Sequence, residues 1–170
     1  MEESMSPAPT IQTPITGREV AGESVEPVTA LAEFYRAFNG RDLALIAENW
    51  DHAGDVAMDN PLGGITRGWP EIRAVYERIF QSPARVQVEF HDYTLHVIGD
   101  VFYAVGRERG TFAASGATLD LAIRTSRIFR RIGGRWRQVH HHGSIEDAKL
   151  LVDYQNAVRS SQGDALPPAK

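Results

Sequence analysis

The stretch Leu119–Ile145, LDLAIRTSRIFRRIGGRWRQVHHHGSI, constrains the fold more than any other part of the chain. Two runs of strand-like composition meet at Gly133-Gly134, a pair that supplies the positive φ angles of a tight hairpin turn. Side chains alternate between faces along a strand. With the two glycines at the apex of an even loop, Phe129 faces Gln138, Arg127 faces His140, Thr125 faces His142 and Ile123 faces Ser144. Those residues share one face with Leu121, Arg131 and Trp136. The other face carries Arg124, Ser126, Ile128 and Arg130 opposite Gly143, His141, Val139 and Arg137. An odd loop would break this pairing while keeping the alternation within each strand. On the first face an arginine, a threonine and two histidines lie among Trp, Phe, Ile and Leu, the pattern of a half-buried polar pocket.

Upstream of the hairpin the chain changes period twice. Residues 1–26, rich in Ser, Pro, Thr and Glu, read as a flexible or extended tail. Pro27 opens a helix whose Leu31, Phe34, Tyr35 and Phe38 recur at helical spacing. Asn39-Gly40-Arg41-Asp42 ends it, and Asp42 caps a second helix carrying Leu43, Leu45, Ile46 and Trp50. Val56-Ala57-Met58 reads as a short strand closed by Asp59-Asn60-Pro61, and the extended run lets only one of Asp59 and Asn60 face inward. Trp69-Pro70 starts a third helix with Ile72, Val75, Tyr76, Ile79 and Phe80 in its buried stripe. From Arg85 the period is two. A long strand bends near His91-Asp92, turns at Gly99-Asp100, and is followed by Val101–Phe112 and a turn at Ser115-Gly116. Residues 146–160 form a last helix, and 161–170 are tail. Helices segregated from strands predict an α+β domain over residues 27–145: a cone-shaped, strongly curved, mostly antiparallel sheet wrapped by three N-terminal helices, plus the C-terminal helix.

Composition excludes several function classes. With 170 residues, 42% of them hydrophobic, the chain is large enough for one core and too apolar for disorder. No apolar run approaches the ~18 residues of a membrane span, so no membrane partner is expected. Glu2 and Glu3 stand where a secretory leader carries basic residues, and zero cysteines fit a reducing compartment; the expected location is cytoplasmic. A formal charge of −4 argues against nucleic acid as a partner, and six arginines between Arg124 and Arg137 are divided between two sheet faces.

The segments LAEFYRAFNGRDLALIAENW, DNPLGGITRGWPEIRAVYERIF and RIFRRIGGRWRQVHHHGS, in this order, resemble the nuclear transport factor 2-like superfamily, and within it the SnoaL-like branch. That branch includes polyketide cyclases, ketosteroid isomerases, scytalone dehydratase and the calcium/calmodulin-dependent kinase association domain. The resemblance implies a deep cavity between sheet and helices, and a homodimer formed through the sheet's outer face.

Its implications for chemistry differ from residue to residue. Ketosteroid isomerases of the superfamily use a helix tyrosine, an aspartate before a proline and a protonated aspartate on a late strand. Tyr35 matches the first, but Asn60-Pro61 stands at the second and Ser126-Arg127 near the third. An amide cannot abstract a proton at neutral pH, so this assignment fails at two positions of three. The association domain resembles the last hairpin better, and there Arg127 and Arg107 match arginines that hold small carboxylates. A further arginine expected after the last histidine is Gly143 here. Arg127 in a semi-dry cavity needs a carboxylate, from a ligand or from Glu108 or Asp120. Proton transfer falls to Asp59, His140 or His142. The expected ligand contacts are Tyr35, Trp50, Asn60, Trp69, Tyr76, Tyr103, Arg107, Thr125 and Arg127. Only His140 and His142 of the three histidines share a face, and no third metal ligand can be placed beside them, so no metal and no other cofactor is expected. The expected partner is a small apolar or carboxylate-bearing ligand. The resulting reading is a small-molecule-binding domain, either a cofactor-free dehydratase, isomerase or cyclase or a non-catalytic domain that binds a small acid.

Overall fold

In the computed structural model, which describes residues 7–22 and 25–162, four helices pack on one six-stranded sheet. Helix α1 spans Pro27–Gly40 and ends where Arg41 turns left-handed at φ 56°. Helix α2 (Leu43–Asn49) starts where the Asp42 carboxylate accepts the Leu45 N–H at 2.9 Å. Short strands β1 (Ala57–Asp59) and β2 (Ile65–Arg67) precede α3 (Trp69–Gln81), whose Pro70 fits the first turn because that turn needs no N–H. Four long strands follow: β3 (Arg85–Ile98), β4 (Val101–Ala114), β5 (Ala117–Ile132) and β6 (Arg135–Ile145). Helix α4 (Ala148–Ser161) is capped by Asp147, which accepts from the Leu150 N–H at 2.9 Å.

The sheet order is β2-β1-β6-β5-β4-β3, antiparallel throughout except for the parallel β1–β6 pair. The inner face, toward the helices, carries Phe90, Phe102, Phe129 and Trp136 against Leu31, Phe34 and Tyr35 of α1, all of them buried. Strand β2 has no sequence signature, because three residues on an edge need no apolar alternation. The predicted tail 1–26 is held against the sheet at two points. Ile11 and Ile15 bridge to Tyr93 and Phe90 of β3, and Ile15 is fully buried. Residues 1–6, 23–24 and 163–170 of the two predicted tails lie outside the described residues. Among the described residues, no helix is long and apolar enough to cross a membrane.

Two bulges interrupt the ladders. One lies between His91 and Thr94, where Asp92 adopts φ 48°, at the predicted bend. The other corrects the hairpin register. Gly133 and Gly134 take φ 58° and 82°, and Ile132 pairs with Arg135 and Phe129 with Gln138, as a two-residue turn requires. The next pair is Ile128 with His140, which leaves Val139 without a partner. Beyond it every expected pair moves by one: Arg127 lies opposite His141, Thr125 opposite Gly143 and Ile123 opposite Ile145. A slip of one residue exchanges the faces of a strand. His141 therefore turns inward, while His140 and His142 turn outward.

Candidate functional site

Between the inner face and helices α1, α3 and α4 lies a cavity of about 820 Å³. Phe34, Phe38, Val75, Ile79, Val88, Phe112 and Ile123 make most of its wall apolar. Asn60, Tyr76, Glu108, Arg127, His141 and Tyr154 are among its polar groups, with Arg78, Gln81, Ser82, Ser161 and Gln162 lining it as well. Burial pushes the Tyr76 and Tyr154 hydroxyls up to about 12, so both are neutral donors.

Arg127 anchors a closed knot at one side. Its Nη2 donates to Glu108 Oε1 at 2.7 Å, its Nη1 to Gln138 Oε1 at 2.8 Å and its Nε to the Tyr35 hydroxyl at 3.3 Å. Tyr35 in turn donates to Glu108 Oε1 at 2.8 Å. The guanidinium lies 3.6 Å from the centre of the Phe34 ring and adds a cation–π contact. Burial opposes the charge on Arg127, but its neighbours, the Glu108 carboxylate among them, outweigh it and the net shift is upward. Burial also raises Tyr35 well above its ordinary value, so it stays protonated.

His141 sits opposite Arg127 on β6 and is only 7% exposed. Neither ring nitrogen has a hydrogen-bond partner among the described residues. Burial pushes its pKa well below the ordinary histidine range, and the Arg127 charge lowers it further, so the ring is neutral. A neutral imidazole offers one N–H donor and one lone pair. Neither nitrogen reaches the cavity surface in this conformation, so the ring must turn to present one of them to the cavity that His141 lines.

The other predicted site residues divide between the two faces. Tyr35, Asn60, Tyr76 and Arg127 line the cavity or the knot behind it. Asn60 also holds its own turn, accepting the Leu62 N–H at 2.9 Å. Thr125 is buried on the inner face without lining the cavity, and its hydroxyl has no partner among the described residues. Trp50 and Trp69 stack on each other in the core at 6.5 Å and do not reach the cavity. Tyr103 points to the outer face, stacked on His96 at 4.5 Å, because β4 alternates and its neighbours Phe102 and Ala104 take the inner positions. The same alternation sends Arg107 outward, where it pairs with Glu146 at 2.6 Å and Asp92 at 3.1 Å.

Asp59, His140 and His142 also lie on the outer face, with His142 Nδ1 2.8 Å from Asp59 Oδ2. None of the three expected proton-transfer groups touches the cavity. Nor do Arg107 and Arg127 converge on one carboxylate: Arg107 is outside, where it shares Glu146 with Arg109, and Arg127 is already matched by Glu108. At Gly143 an added Cβ would lie 3.2–3.3 Å from the Pro61 ring, so proline occupies the space the expected arginine would need. His141 is the functional candidate that the even-loop register missed. No glycine or proline marks the bulge at Val139. Three consecutive histidines were still a signal, since any register must turn at least one of them inward.

Residues 28–148 match the family model of the SnoaL-like domain. No curated protein sequence matches the chain. Among solved structures, a candidate dehydratase of the nuclear transport factor 2-like family from Streptomyces avermitilis is similar, with a TM-score of 0.64 and 21% identity over 70% of this chain and 93% of that one. A candidate calcium/calmodulin-dependent protein kinase type II association domain from Thiobacillus denitrificans has a TM-score of 0.61 and 25% identity, covering 76% of this chain and all 100% of the other. An uncharacterised protein with a cystatin-like fold from Caulobacter vibrioides has a TM-score of 0.56 and 17% identity, over 76% and 93% of the two chains.

Proposed function

The chain belongs to the SnoaL-like domain family, and from that membership and the cavity we propose that it binds a small, largely apolar, ring-bearing molecule that carries a hydrogen-bonding oxygen. The observation that supports this is His141: buried, beside the cavity, and without a partner on either nitrogen among the described residues. A buried polar group left unpaired costs about 1–3 kcal/mol, and a ligand oxygen that meets it removes that cost. The aromatic and aliphatic wall supplies the rest of the affinity through burial, and the volume falls in the range of small-molecule sites.

The geometry favours a neutral ligand over an acid, since the buried cation already has its carboxylate in Glu108. A cofactor-free dehydration, isomerisation or cyclisation of a carbonyl compound is the catalytic form of the same reading, with the substrate in this cavity. Product formation from a β-hydroxy ketone is the measurement that separates an enzyme from a binding domain.

The binding reading is tested with 2-naphthol and naphthalene, one ring system with and without a hydroxyl. The wild-type chain is expected to prefer 2-naphthol by roughly three- to tenfold, the worth of one hydrogen bond. His141→Phe should bind both about equally. An undiminished preference in the variant would show that His141 is not the polar contact.

A further inference from the structure

The outer side of the same wall carries a second cluster that the cavity does not use. His140 and His142 are two apart on β6 and share the outer face. Strand β1 runs parallel beside them with Asp59 paired to His142 and Ala57 to His140. This parallel pairing joins residues more than 80 positions apart, and it brings a carboxylate to a His-x-His pair. One ligand atom from each of Asp59, His140 and His142 lies within 4.8 Å of the other two.

We propose that Asp59, His140 and His142 form a binding site for a divalent transition-metal ion such as zinc, with the remaining coordination open to water. Two imidazole nitrogens and one carboxylate oxygen are a zinc donor set, and three protein ligands with an open position are the arrangement of solvent-accessible zinc sites. Around zinc, bonds of this kind place ligand atoms about 3.3 Å apart. Closing from 4.8 Å therefore takes small side-chain rotations. The side chain of His142 is 50% exposed and that of Asp59 27%, so both have room to make them. The present His142–Asp59 hydrogen bond already turns the two groups toward one another. Nitrogen donors select zinc, copper, nickel or cobalt over magnesium and calcium, which prefer all-oxygen shells.

The position gives such an ion a structural consequence. Strand β1 has three residues, and it runs directly into Asn60, Pro61 and Leu62, which line the cavity. An ion bridging β1 and β6 would tie that segment to the strand carrying His141. The metal site and the cavity are thus back to back across one strand, and the proposal does not depend on what the cavity binds.

The test uses the full 170-residue chain without an added histidine tag. Zinc sulfate is titrated by calorimetry, with melting temperature measured in parallel. One equivalent should bind and raise the melting temperature, because an ion bound only by the folded state stabilises it. Magnesium should do neither. The double variant His140→Ala/His142→Ala should lose binding, and Asp59→Asn should weaken it at least about tenfold. His96→Ala, on the same face but stacked on Tyr103, should bind as wild type does. Absence of saturable zinc binding by the wild type, or undiminished binding in the double variant, would overturn the proposal. If the double variant melts early in zinc-free buffer, the isosteric Asp59→Asn decides alone: wild-type affinity in it overturns the three-ligand site.

Discussion

Arg127 and His141 face each other across β5 and β6, both buried on the inner face, and they resolve burial in opposite ways. Every nitrogen of Arg127 has a protein partner; neither nitrogen of His141 has one among the described residues. A buried charge left alone would be far costlier than a buried neutral ring, so the fold closes the guanidinium into a knot with Glu108, Gln138 and Tyr35. The imidazole can be left open because neutrality limits its cost. Other buried polar atoms also lack partners among the described residues, Thr125 Oγ1 and Gln138 Nε2 included, but of these residues His141 is the one that lines the cavity. The most conspicuous charge in the cavity is therefore its support, and the quieter neighbour is the contact we propose for a ligand.

The strongest way to break this contrast is to cut the knot. Glu108→Ala removes the carboxylate from Arg127 and the acceptor from Tyr35. Breaking a buried pair from one side costs about 3–5 kcal/mol, and urea denaturation should show a loss of that order. Replacing both partners, Arg127→Met with Glu108→Leu, should recover most of it, since apolar groups of similar volume leave no charge behind. A loss below about 1 kcal/mol in Glu108→Ala would mean that Arg127 finds another anion, and that the framework role belongs elsewhere.

The unpaired imidazole predicts the opposite sign. His141→Leu removes an unsatisfied polar ring from an apolar wall, and stability should rise by about 1 kcal/mol while the preference for 2-naphthol over naphthalene disappears. Gain of stability with loss of recognition is the signature of a group kept for contact. A loss of more than about 1 kcal/mol would place water on both nitrogens in the free protein, making His141 part of a hydrated framework.

The reach of the sequence in this site follows from how far each signal acts. The Gly133-Gly134 turn sets the hairpin register locally, and its pairing holds from Ile132 with Arg135 as far as Phe129 with Gln138. Helical stripes and the turns at Gly99 and Ser115-Gly116 are likewise local, so the elements other than β2, and their order, were legible. The bulge at Val139 is a tertiary accommodation with no glycine or proline to announce it. One inserted residue exchanged His140 and His142 for His141 at the cavity wall. The proximity of Asp59 to His142 was beyond sequence reading for another reason: it depends on β1, three residues long, choosing β6 as a parallel neighbour. Arg107 was misplaced because a family match fixes a position along β4 but not which face it occupies here. The Arg127–Glu108 pair was one of the partners chemistry allowed, and only the fold chose it over Asp120.

The smallest effect tests how closely the contact wall is fitted to the segment beside it. Gly143 follows the three histidines on β6, and an added Cβ there would meet the Pro61 ring at 3.2–3.3 Å. Such a distance asks Pro61 to move by a few tenths of an ångström without forcing a backbone clash. Gly143 does not adopt a left-handed φ, so alanine suits its backbone. Replacement should gain about 0.4–1 kcal/mol through the unfolded chain and lose a similar amount against Pro61. Gly143→Ala is therefore expected to melt close to the wild type. Pro61 and its neighbours Asn60 and Leu62 line the cavity, so the displacement should appear in binding instead, as a change of a few-fold in affinity for both naphthalene and 2-naphthol. Equal changes for the two ligands would place the effect in the shape of the wall; a change confined to 2-naphthol would mean that moving Pro61 also disturbs His141, and that contact and wall are one coupled unit.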